Sequence, residues 1–531
     1  MSRIRTYTRN LAANWVGHGA NLVVAFLLTP FIVHSLGDVR YGIWSLVLSV
    51  VGYMGLADLG VRPSVGRYVN LYLGKEQPEK VNEVVNTALA FFLASGLALV
   101  VASGVLGWAF ADLFPKVPAD YLLEIRVVLL VLALSLLLGF LSSTVWCLVT
   151  AYERFDLFNG MSVGVLAFRT AGIVLVLLRG GGLIGLALVT LGGEIVGLAL
   201  AVLAAKRVCS FLRFRWHLAS RARLKELVGF GIAMLVNAIS QRVIYFTSLL
   251  IVGWFLDTAE VTYFALGLML AQHGRGLLGE VIRTMSPEIL KQGGREDPAA
   301  VRWLTVRGTR VVMFFTLPLM VGFIALGREF MVVWMGNAAY ARSGTVLMIL
   351  ALGQIVAMSA EVWRNMLSSI GHVWYVAGLG LVEAALSLVL GVAFAWLLGW
   401  GINGVALGTL LPSVVFLGLV LPLVGCRLIG LRFKSFLWAT TLRWMAAAVL
   451  AFAVGLGVAL TPLPVGWAGI GAKIAVSGTA SLLLGWMLVL NSDDRGPIRH
   501  GLQAGLARLG LRGAGIPKAP GVPPATGECG E

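Results

Sequence analysis

The sequence predicts an all-α, polytopic membrane protein, because of its composition and the length of its apolar runs. Of 531 residues, 59% are hydrophobic and 12% are charged, and the mean hydropathy is +0.90. Soluble domains carry a charge on about a quarter of their residues. The apolar runs are about 20 residues long, which is what a helix needs to cross a hydrocarbon core. The alternating segments of about ten residues that a transmembrane barrel requires do not occur in the sequence.

About 14 membrane helices are predicted, from residues 11–35 to residues 468–490. The first contains Pro30, which we expect to bend the helix rather than end it. The ninth is predicted over 307–327, and the longest outer loop, about 328–342, follows it. No loop is long enough to hide a soluble domain.

Lysine and arginine are distributed unevenly between the two sets of loops. With the N-terminus inside, the inner segments hold about 26 of them and the outer segments about 7, and cytoplasmic loops are enriched in these residues. We therefore predict that both termini are cytoplasmic. The net charge of +16 reflects this bias, so no nucleic-acid partner is expected. None of the four cysteines lies in an outer loop, so no disulfide is expected.

An internal repeat organises the helices. "GLIGLALVTL" (182–191) recurs as "GINGVALGTL" (401–410), 219 residues later. "LGDVRYGIWSL" (36–46) has a fainter echo in "DTAEVTYFALGL" (257–268), at a similar displacement. The near-constant displacement predicts that six helices repeat as six. An even number of spans per repeat makes the two lobes parallel, as in transporters whose lobes face a central cavity.

The predicted organisation has five parts. They are an N-lobe of helices 1–6 (1–205), a basic cytoplasmic connector (206–226), a C-lobe of helices 7–12 (227–425), helices 13–14 (426–490) and a partly disordered cytoplasmic tail (491–531). The basic N-terminus is interpreted as the start of an uncleaved first helix, since the apolar run is longer than a signal peptide requires.

Short motifs in and after the first two helices, and one at the end of the eighth, carry a family resemblance. Leu36-Gly37, Tyr41-Gly42, "ADLG" at 57–60, Arg67-Tyr68 and "MSPEIL" at 285–290 resemble the bacterial O-antigen and exopolysaccharide flippases of the multidrug/oligosaccharidyl-lipid/polysaccharide exporter superfamily. The resemblance implies a MATE-like fold in the bacterial cytoplasmic membrane. It also implies that the substrate is an oligosaccharide linked to undecaprenyl diphosphate, moved from the inner to the outer leaflet. A polysaccharide polymerase or ligase is a partner that the family allows, and a monomer is expected.

Ionisable residues within the apolar runs are the candidate functional residues of the N-lobe, because burying a charge in a membrane is costly. Arg169 and Glu194 lie at similar distances from the turn between helices 5 and 6, so we expect them to pair. The pair is either structural or faces the cavity. His18 and Asp58 likewise lie at equal depth, and together they could form a protonatable coupling site. The alternative is a local bridge between Asp58 and Arg62.

The C-lobe is predicted to be more cationic. Arg242, His273 and Arg275 should form one layer near mid-membrane, while Arg364 should be neutralised by Glu361 three residues before it. Glu383 has no evident partner in the sequence. The candidate substrate-binding residues are Arg169, Arg242, His273, Arg275, Arg283, Arg364, Asn237 and Gln241, and the candidate coupling residues are His18, Asp58, Glu194 and Glu361.

A surplus of arginine in an enclosed cavity suits a diphosphate, because guanidinium stays charged and binds phosphate oxygens through two parallel hydrogen bonds. The alternative is that some of these arginines only lie at lobe interfaces. A cation-coupled multidrug antiporter of the same fold would have more cavity carboxylates than arginines. A polymerase or ligase would have a large external loop with catalytic residues. No catalytic or metal-binding constellation occurs in the sequence, so we predict a transporter rather than an enzyme, with no cofactor and with H+ or Na+ coupling left open.

Overall fold

The protein is a bundle of long helices. The computed structural model describes residues 2–294, 297–462, 466–496 and 499, with the side chains of residues 2–16, 18, 233, 234, 237, 245 and 283–294 outside that description. The helices of the first half are α1 (Ser2–Leu36), α2 (Asp38–Met54), α3 (Val61–Gly74), α4 (Pro78–Trp108), α5 (Phe110–Leu113), α6 (Leu122–Ala151), α7 (Phe155–Leu178) and α8 (Gly182–Val208). Those of the second half are α9 (Arg221–Phe255), α10 (Thr258–Gly294), α11 (Pro298–Met335), α12 (Ala341–Ser369), α13 (Val373–Val392), α14 (Gly401–Val415) and α15 (Leu421–Leu428). They are followed by α16 (Phe433–Leu437), α17 (Arg443–Ala459) and α18 (Trp467–Leu484).

Thirteen helical segments of the described chain are long and apolar enough to span a membrane. One further long helix, α10, is not among these thirteen and corresponds to the predicted eighth membrane helix. It is less apolar than the others because Gln272, His273 and Arg275 lie near its middle. Pro30 lies within α1, which continues past it, as expected. Two single π-helical turns join helices of the later part of the described chain, so α14 and α15 form one continuous segment, as do α16 and α17. Two further π-helical turns end α13 and α18.

The pattern of helix packing repeats in the two halves, which confirms the predicted parallel repeat. In the first half α6 packs against α4 and α8, while α7 packs against α8 and α1. In the second half α12 packs against α11 and α14, while α13 packs against α14 and α9. Each pairing in the second half is the one expected if α9 corresponds to α1.

The two halves meet along α2. This helix packs against α9 and α10 of the second half, and α3 and α4 also reach α9. The apolar core is continuous across this contact, since Leu46 of α2, Val252 of α9 and Phe264 of α10 are fully buried in one cluster. In the following text, the "Asp38 end" is the end of the bundle where α1 joins α2, and the "Arg62 end" is the end where α2 joins α3.

The ninth membrane helix is longer than predicted, and most of the predicted loop 328–342 is helical. The prediction was wrong because Arg328 and Glu329 interrupt the apolar run in the sequence. In the fold, Lys473 of α18 donates to Glu329 at 2.9 Å and also to the Ala459 carbonyl at 3.0 Å. A charge paired in this way is tolerated within a helix bundle. The last two membrane segments, built on α17 and α18, both pack against α11.

The connector between the halves is held to α4 by side-chain amides. Asn82 and Asn86 each donate to one connector carbonyl and accept from one connector N–H. The four distances, to Phe211, Arg213 and Arg215, lie between 2.7 and 3.1 Å. Paired hydrogen bonds of this kind fix an extended backbone in the way that a neighbouring strand would. The connector is therefore fastened to the first half.

Candidate functional site

Four charged side chains of the second half form one cluster. Arg364 of α12 lies 3.2 Å from Glu361 through Nη1 and 3.7 Å from Glu383 of α13 through Nη2. Arg275 of α10 lies 3.7 Å from the same Glu361 oxygen, Oε2, that Arg364 contacts. Three helices therefore bring together two guanidiniums and two carboxylates, which we call the C-lobe cluster.

The C-lobe cluster lies beside a small enclosed cavity of about 30 Å3. Besides Arg275, Arg364 and Glu383, its polar lining consists of Gln241, Ser248, Gln354, Thr409 and Ser413. Ser413 donates to Glu383 Oε1 at 2.7 Å. Glu383 Oε2 and Gln354 Oε1 are buried without a hydrogen-bond partner among the described residues. A polar cavity of this size can hold a water molecule that would satisfy such atoms.

The structure corrects the reading of Glu383, which the sequence leaves without a partner. Its partners come from two other helices, α12 and α14, and neither is near it in the sequence. The pairing of Glu361 with Arg364 is confirmed, but the two belong to the larger cluster. In the C-lobe cluster the arginines and glutamates are equal in number, so the guanidinium charge is balanced by carboxylates.

Arg242 lies between the two halves. Its guanidinium, on α9, donates to the Gly52 carbonyl of α2 and lies 5.3 Å from the ring centroid of Phe246. It is also within electrostatic range of Asp58 and Arg62. His273 donates from Nδ1 to the Met269 carbonyl of its own helix at 2.7 Å. The single layer expected for Arg242, His273 and Arg275 therefore does not form. Arg242 contacts the other half, His273 bonds to its own helix, and Arg275 belongs to the C-lobe cluster.

The ion pair predicted in the first half is confirmed. Arg169 of α7 donates to Glu194 of α8 at 2.7 Å, with about a third of the Arg169 side chain (34%) exposed. Arg169 packs over Gly193, where a Cβ would run into it, and Glu194 lies near Gly139 of α6. The absence of a side chain at Gly193 makes room for Arg169.

Asp58 makes two local contacts. One carboxylate oxygen accepts from the Gly60 N–H at 2.9 Å, and the other lies 4.0 Å from Arg62. The local bridge considered from the sequence is therefore present. Its proposed partner His18 lies outside the described side chains, as do Asn237, Arg283 and the 285–290 motif.

The two halves contact each other at both ends of the bundle. At the Asp38 end, the Asp38 carboxylate accepts from Tyr340 at 2.5 Å and from Tyr263 at 3.0 Å. At the Arg62 end, Gly60 and Gly231 approach so closely that a Cβ on Gly231 would lie 2.6 Å from the Leu59 carbonyl oxygen. Sequence reasoning missed both contacts, although the echo of "LGDVRYG" in "DTAEVTYFALG" covers Asp38 and Tyr263.

A second ionic group lies at the start of α9. Arg223 donates to Glu83 of α4 at 2.9 Å, and to Glu226 and the Tyr72 hydroxyl at 2.8 Å. The hydrogen bonds to Glu83 and Glu226 raise the pKa of Arg223 above its ordinary value. The group ties α3, α4 and α9 together beside the connector.

Comparison with known proteins places this architecture. A family model described as "Polysaccharide biosynthesis protein" matches residues 36–343. The uncharacterized membrane protein EpsK of Bacillus subtilis (strain 168) is 21% identical over 493 residues, which cover 92% of this chain and 96% of EpsK. Among solved structures, lipid II flippase MurJ in an inward closed conformation has a TM-score of 0.70 at 16% identity, covering 90% of this chain and 98% of MurJ.

A multidrug resistance MATE family transporter of the MOP superfamily, in an inward-facing conformation, has a TM-score of 0.63 at 14% identity. That likeness covers 78% of this chain and 98% of the transporter. At these identities the two solved structures establish the fold alone, and the MATE-like fold implied by the sequence resemblance is confirmed.

Proposed function

The chain belongs to the polysaccharide biosynthesis protein family, and from that premise we propose that it flips a lipid-linked oligosaccharide across the bacterial cytoplasmic membrane. The proposed lipid carrier is undecaprenyl diphosphate, whose charge is concentrated in the diphosphate. The observation that carries the proposal is the C-lobe cluster, which places Arg275 and Arg364 side by side inside a membrane bundle. Two guanidiniums at one place can each donate to a phosphate oxygen.

The proposed mechanism is alternating access. The contacts around Asp38 and those around Gly60 and Gly231 would break in turn, so that the interior opens first to one side and then to the other. The headgroup and sugar would cross inside the bundle while the lipid tail stays in the bilayer. By the distribution of lysine and arginine, the Arg62 end faces the cytoplasm and both termini are cytoplasmic. The protein would act as a monomer.

Arg169, Arg242 and Gln241 remain proposed substrate contacts alongside the cluster, as do His273, Arg283 and Asn237. His18, Asp58, Glu194 and Glu361 are the proposed coupling residues, and the coupling ion would be H+ or Na+. These roles are supported by the position of the residues along the helices, because each residue lies within the membrane bundle or at its mouth.

The test uses vesicles that contain the purified full-length protein and a fluorescent saccharide on undecaprenyl diphosphate. Exposure of inner-leaflet lipid to an impermeant quencher on the outside measures flipping. We expect the wild type to flip this lipid, and Arg364→Gln to slow flipping by about tenfold or more, since one charge-assisted hydrogen bond is lost. Arg154→Gln is the matched control, because Arg154 is exposed at the start of α7, where it pairs with Asp156. If the wild type moves none of the labelled lipid, the proposal is wrong.

A cation-coupled multidrug antiporter is the second candidate. Glu383, whose side chain is 1% exposed and has an oxygen without a hydrogen bond, is the kind of carboxylate that could exchange a cation. The same vesicles separate the two functions. An antiporter would accumulate an organic cation when an H+ or Na+ gradient is imposed, and it would not flip the diphosphate lipid.

A further inference from the structure

One carboxylate oxygen in the C-lobe cluster is shared by both arginines. Glu361 Oε2 lies 3.2 Å from Arg364 Nη1 and 3.7 Å from Arg275 Nη2. An anionic oxygen between two guanidiniums is also the arrangement that a bound phosphate oxygen would adopt. Glu361 therefore occupies the position in which the two arginines could receive a phosphate.

The two glutamates of the cluster differ in how firmly they are held. The Glu383 side chain is 1% exposed and is fixed by Ser413, whereas the Glu361 side chain is 32% exposed. Arg364 uses Nη2 for Glu383 and Nη1 for Glu361. If Glu361 rotated away, Arg364 would keep its deep partner while Nη1 became available. Glu361 is thus the partner that can leave without disrupting the rest of the cluster.

Electrostatics require such a partner in the empty protein and its departure in the loaded one. Without Glu361, the two guanidiniums of the cluster would face the single carboxylate of Glu383, and excess positive charge inside a bundle is costly because a buried charge loses its hydration. With a diphosphate bound, Glu361 would lie next to a like charge in a medium that screens poorly, which is also unfavourable. A carboxylate that exchanges with the substrate avoids both situations.

We propose that Glu361 is a displaceable internal anion, which neutralises Arg275 and Arg364 in the empty protein and gives way to the diphosphate of the substrate. The proposal rests on the proposed function and specifies the ligand of the cluster as a phosphate or diphosphate headgroup. When the substrate leaves, Glu361 returns and competes for the two guanidiniums. This competition lowers affinity and speeds release, so Glu361 is a positioning residue that sets the balance between binding and turnover.

The test compares affinity with flipping rate in full-length protein. Binding of farnesyl diphosphate is measured on detergent-solubilised wild type and Glu361→Gln, with uncharged farnesol as the reference ligand. Without the competing carboxylate, Glu361→Gln should bind farnesyl diphosphate roughly tenfold more tightly, about the effect of one charge-assisted hydrogen bond. In the flipping vesicles the same variant should be slower than the wild type. Glu361→Asp keeps the charge on a shorter stem and should be intermediate in both measurements.

The matched control is Glu329→Gln, which removes a carboxylate from the Glu329–Lys473 pair of the same half and should leave affinity unchanged. If the wild type binds farnesyl diphosphate but Glu361→Gln binds it equally or more weakly, the inference is wrong and the proposed function stands. Should Glu361→Gln not fold, Glu361→Asp decides in the same way. If the wild type neither distinguishes farnesyl diphosphate from farnesol nor flips the labelled lipid, the proposed function itself fails.

Discussion

The Asp38 carboxylate accepts a hydrogen bond from the Tyr340 hydroxyl at 2.5 Å, which joins the start of α2 to the segment before α12. Tyr263 donates to the other carboxylate oxygen at 3.0 Å, and Thr262 donates to the Asp38 backbone carbonyl at 2.5 Å. One residue of the first half thus receives three hydroxyls of the second. A hydrogen bond to a charged carboxylate contributes about 1.5–3 kcal/mol net. Water can take the place of the hydroxyls when the two halves separate, so this contact can close one end of the bundle reversibly.

Tyr340→Phe should favour opening of the Asp38 end, because it removes one hydrogen bond to a charged acceptor, worth about 1–3 kcal/mol. Spin labels at the exposed positions Val39 and Ala339 report the separation of the halves there. We expect a longer-distance population that is rare in the wild type to become substantial. Tyr375→Phe, at an exposed tyrosine, is the control. Identical distance distributions in Tyr340→Phe and wild type would show that the Asp38 contact does not hold this end closed.

Gly231→Leu should open the Arg62 end. The first side-chain atom added there would lie 2.6 Å from the Leu59 carbonyl oxygen, and the partner Gly60 has φ +71, a conformation that favours glycine. Overpacking of this kind costs about 1–3 kcal/mol in the closed arrangement. Labels at the exposed positions Leu71 and Ser368 should move apart.

Gly229→Leu is the matched control for Gly231→Leu. It adds the same side chain two residues away on α9, where a Cβ meets nothing within 4 Å. The two variants should therefore differ. Equal separations in both would mean that the close approach at Gly231 does not control the Arg62 end.

The sequence predicts which residues lie side by side on two helices that are joined by a short turn. Arg169 and Glu194 pair as expected because two helices joined by a short turn place equally distant residues side by side. The helix count is predictable because the membrane sets the length of the apolar runs. The repeat is predictable because two stretches of the sequence recur at a near-constant displacement.

Contacts between helices that are distant in the chain could not be predicted. Glu383 meets Arg364 and Ser413, and Arg310 meets the buried carboxylate of Asp494 at 2.9 Å, in a segment that reads as a tail. The extension of α11 past Arg328 likewise depends on Lys473, which is supplied by α18. Such pairings follow from tertiary packing, which one sequence does not specify.

The Arg169–Glu194 pair should show strong energetic coupling in a double-mutant cycle. Removing one partner leaves the other charge without its hydrogen bond. The loss of stability in the two single glutamine variants should therefore sum to more than the loss in the double variant. We expect a coupling energy of about 0.5–3 kcal/mol, measured as thermal unfolding in detergent. Additive effects would show that the pair contributes no interaction energy.

The exchange of the two residues separates a structural pair from a substrate contact. Arg169→Glu combined with Glu194→Arg retains an ion pair but reverses its direction. If the pair is structural, the exchanged protein should regain both stability and flipping. If stability is restored but flipping is still lost, Arg169 contacts the substrate.

Asn86→Ala should release the connector and expose Cys209. Asn86 donates to the Arg213 carbonyl at 2.7 Å and accepts from the Arg215 N–H at 2.8 Å, and Cys209 is buried beside this segment. Burial raises the pKa of the Cys209 thiol to about 11. Because the thiolate is the reactive form, alkylation of the wild type should be slow at pH 8 and should accelerate about tenfold per pH unit below that pKa.

Alkylation is measured in a background where the other three cysteines are replaced by alanine. Asn86→Ala should react faster at pH 8, because a detached connector lets water reach the thiol and its pKa falls toward its ordinary value. Asn70→Ala is the matched control, since Asn70 donates to the Gly66 carbonyl of its own helix, and its rate should equal that of the background. If Asn86→Ala were equally slow, the amide pairing would not be what holds the connector, and the apolar contacts around Cys209 would have to suffice.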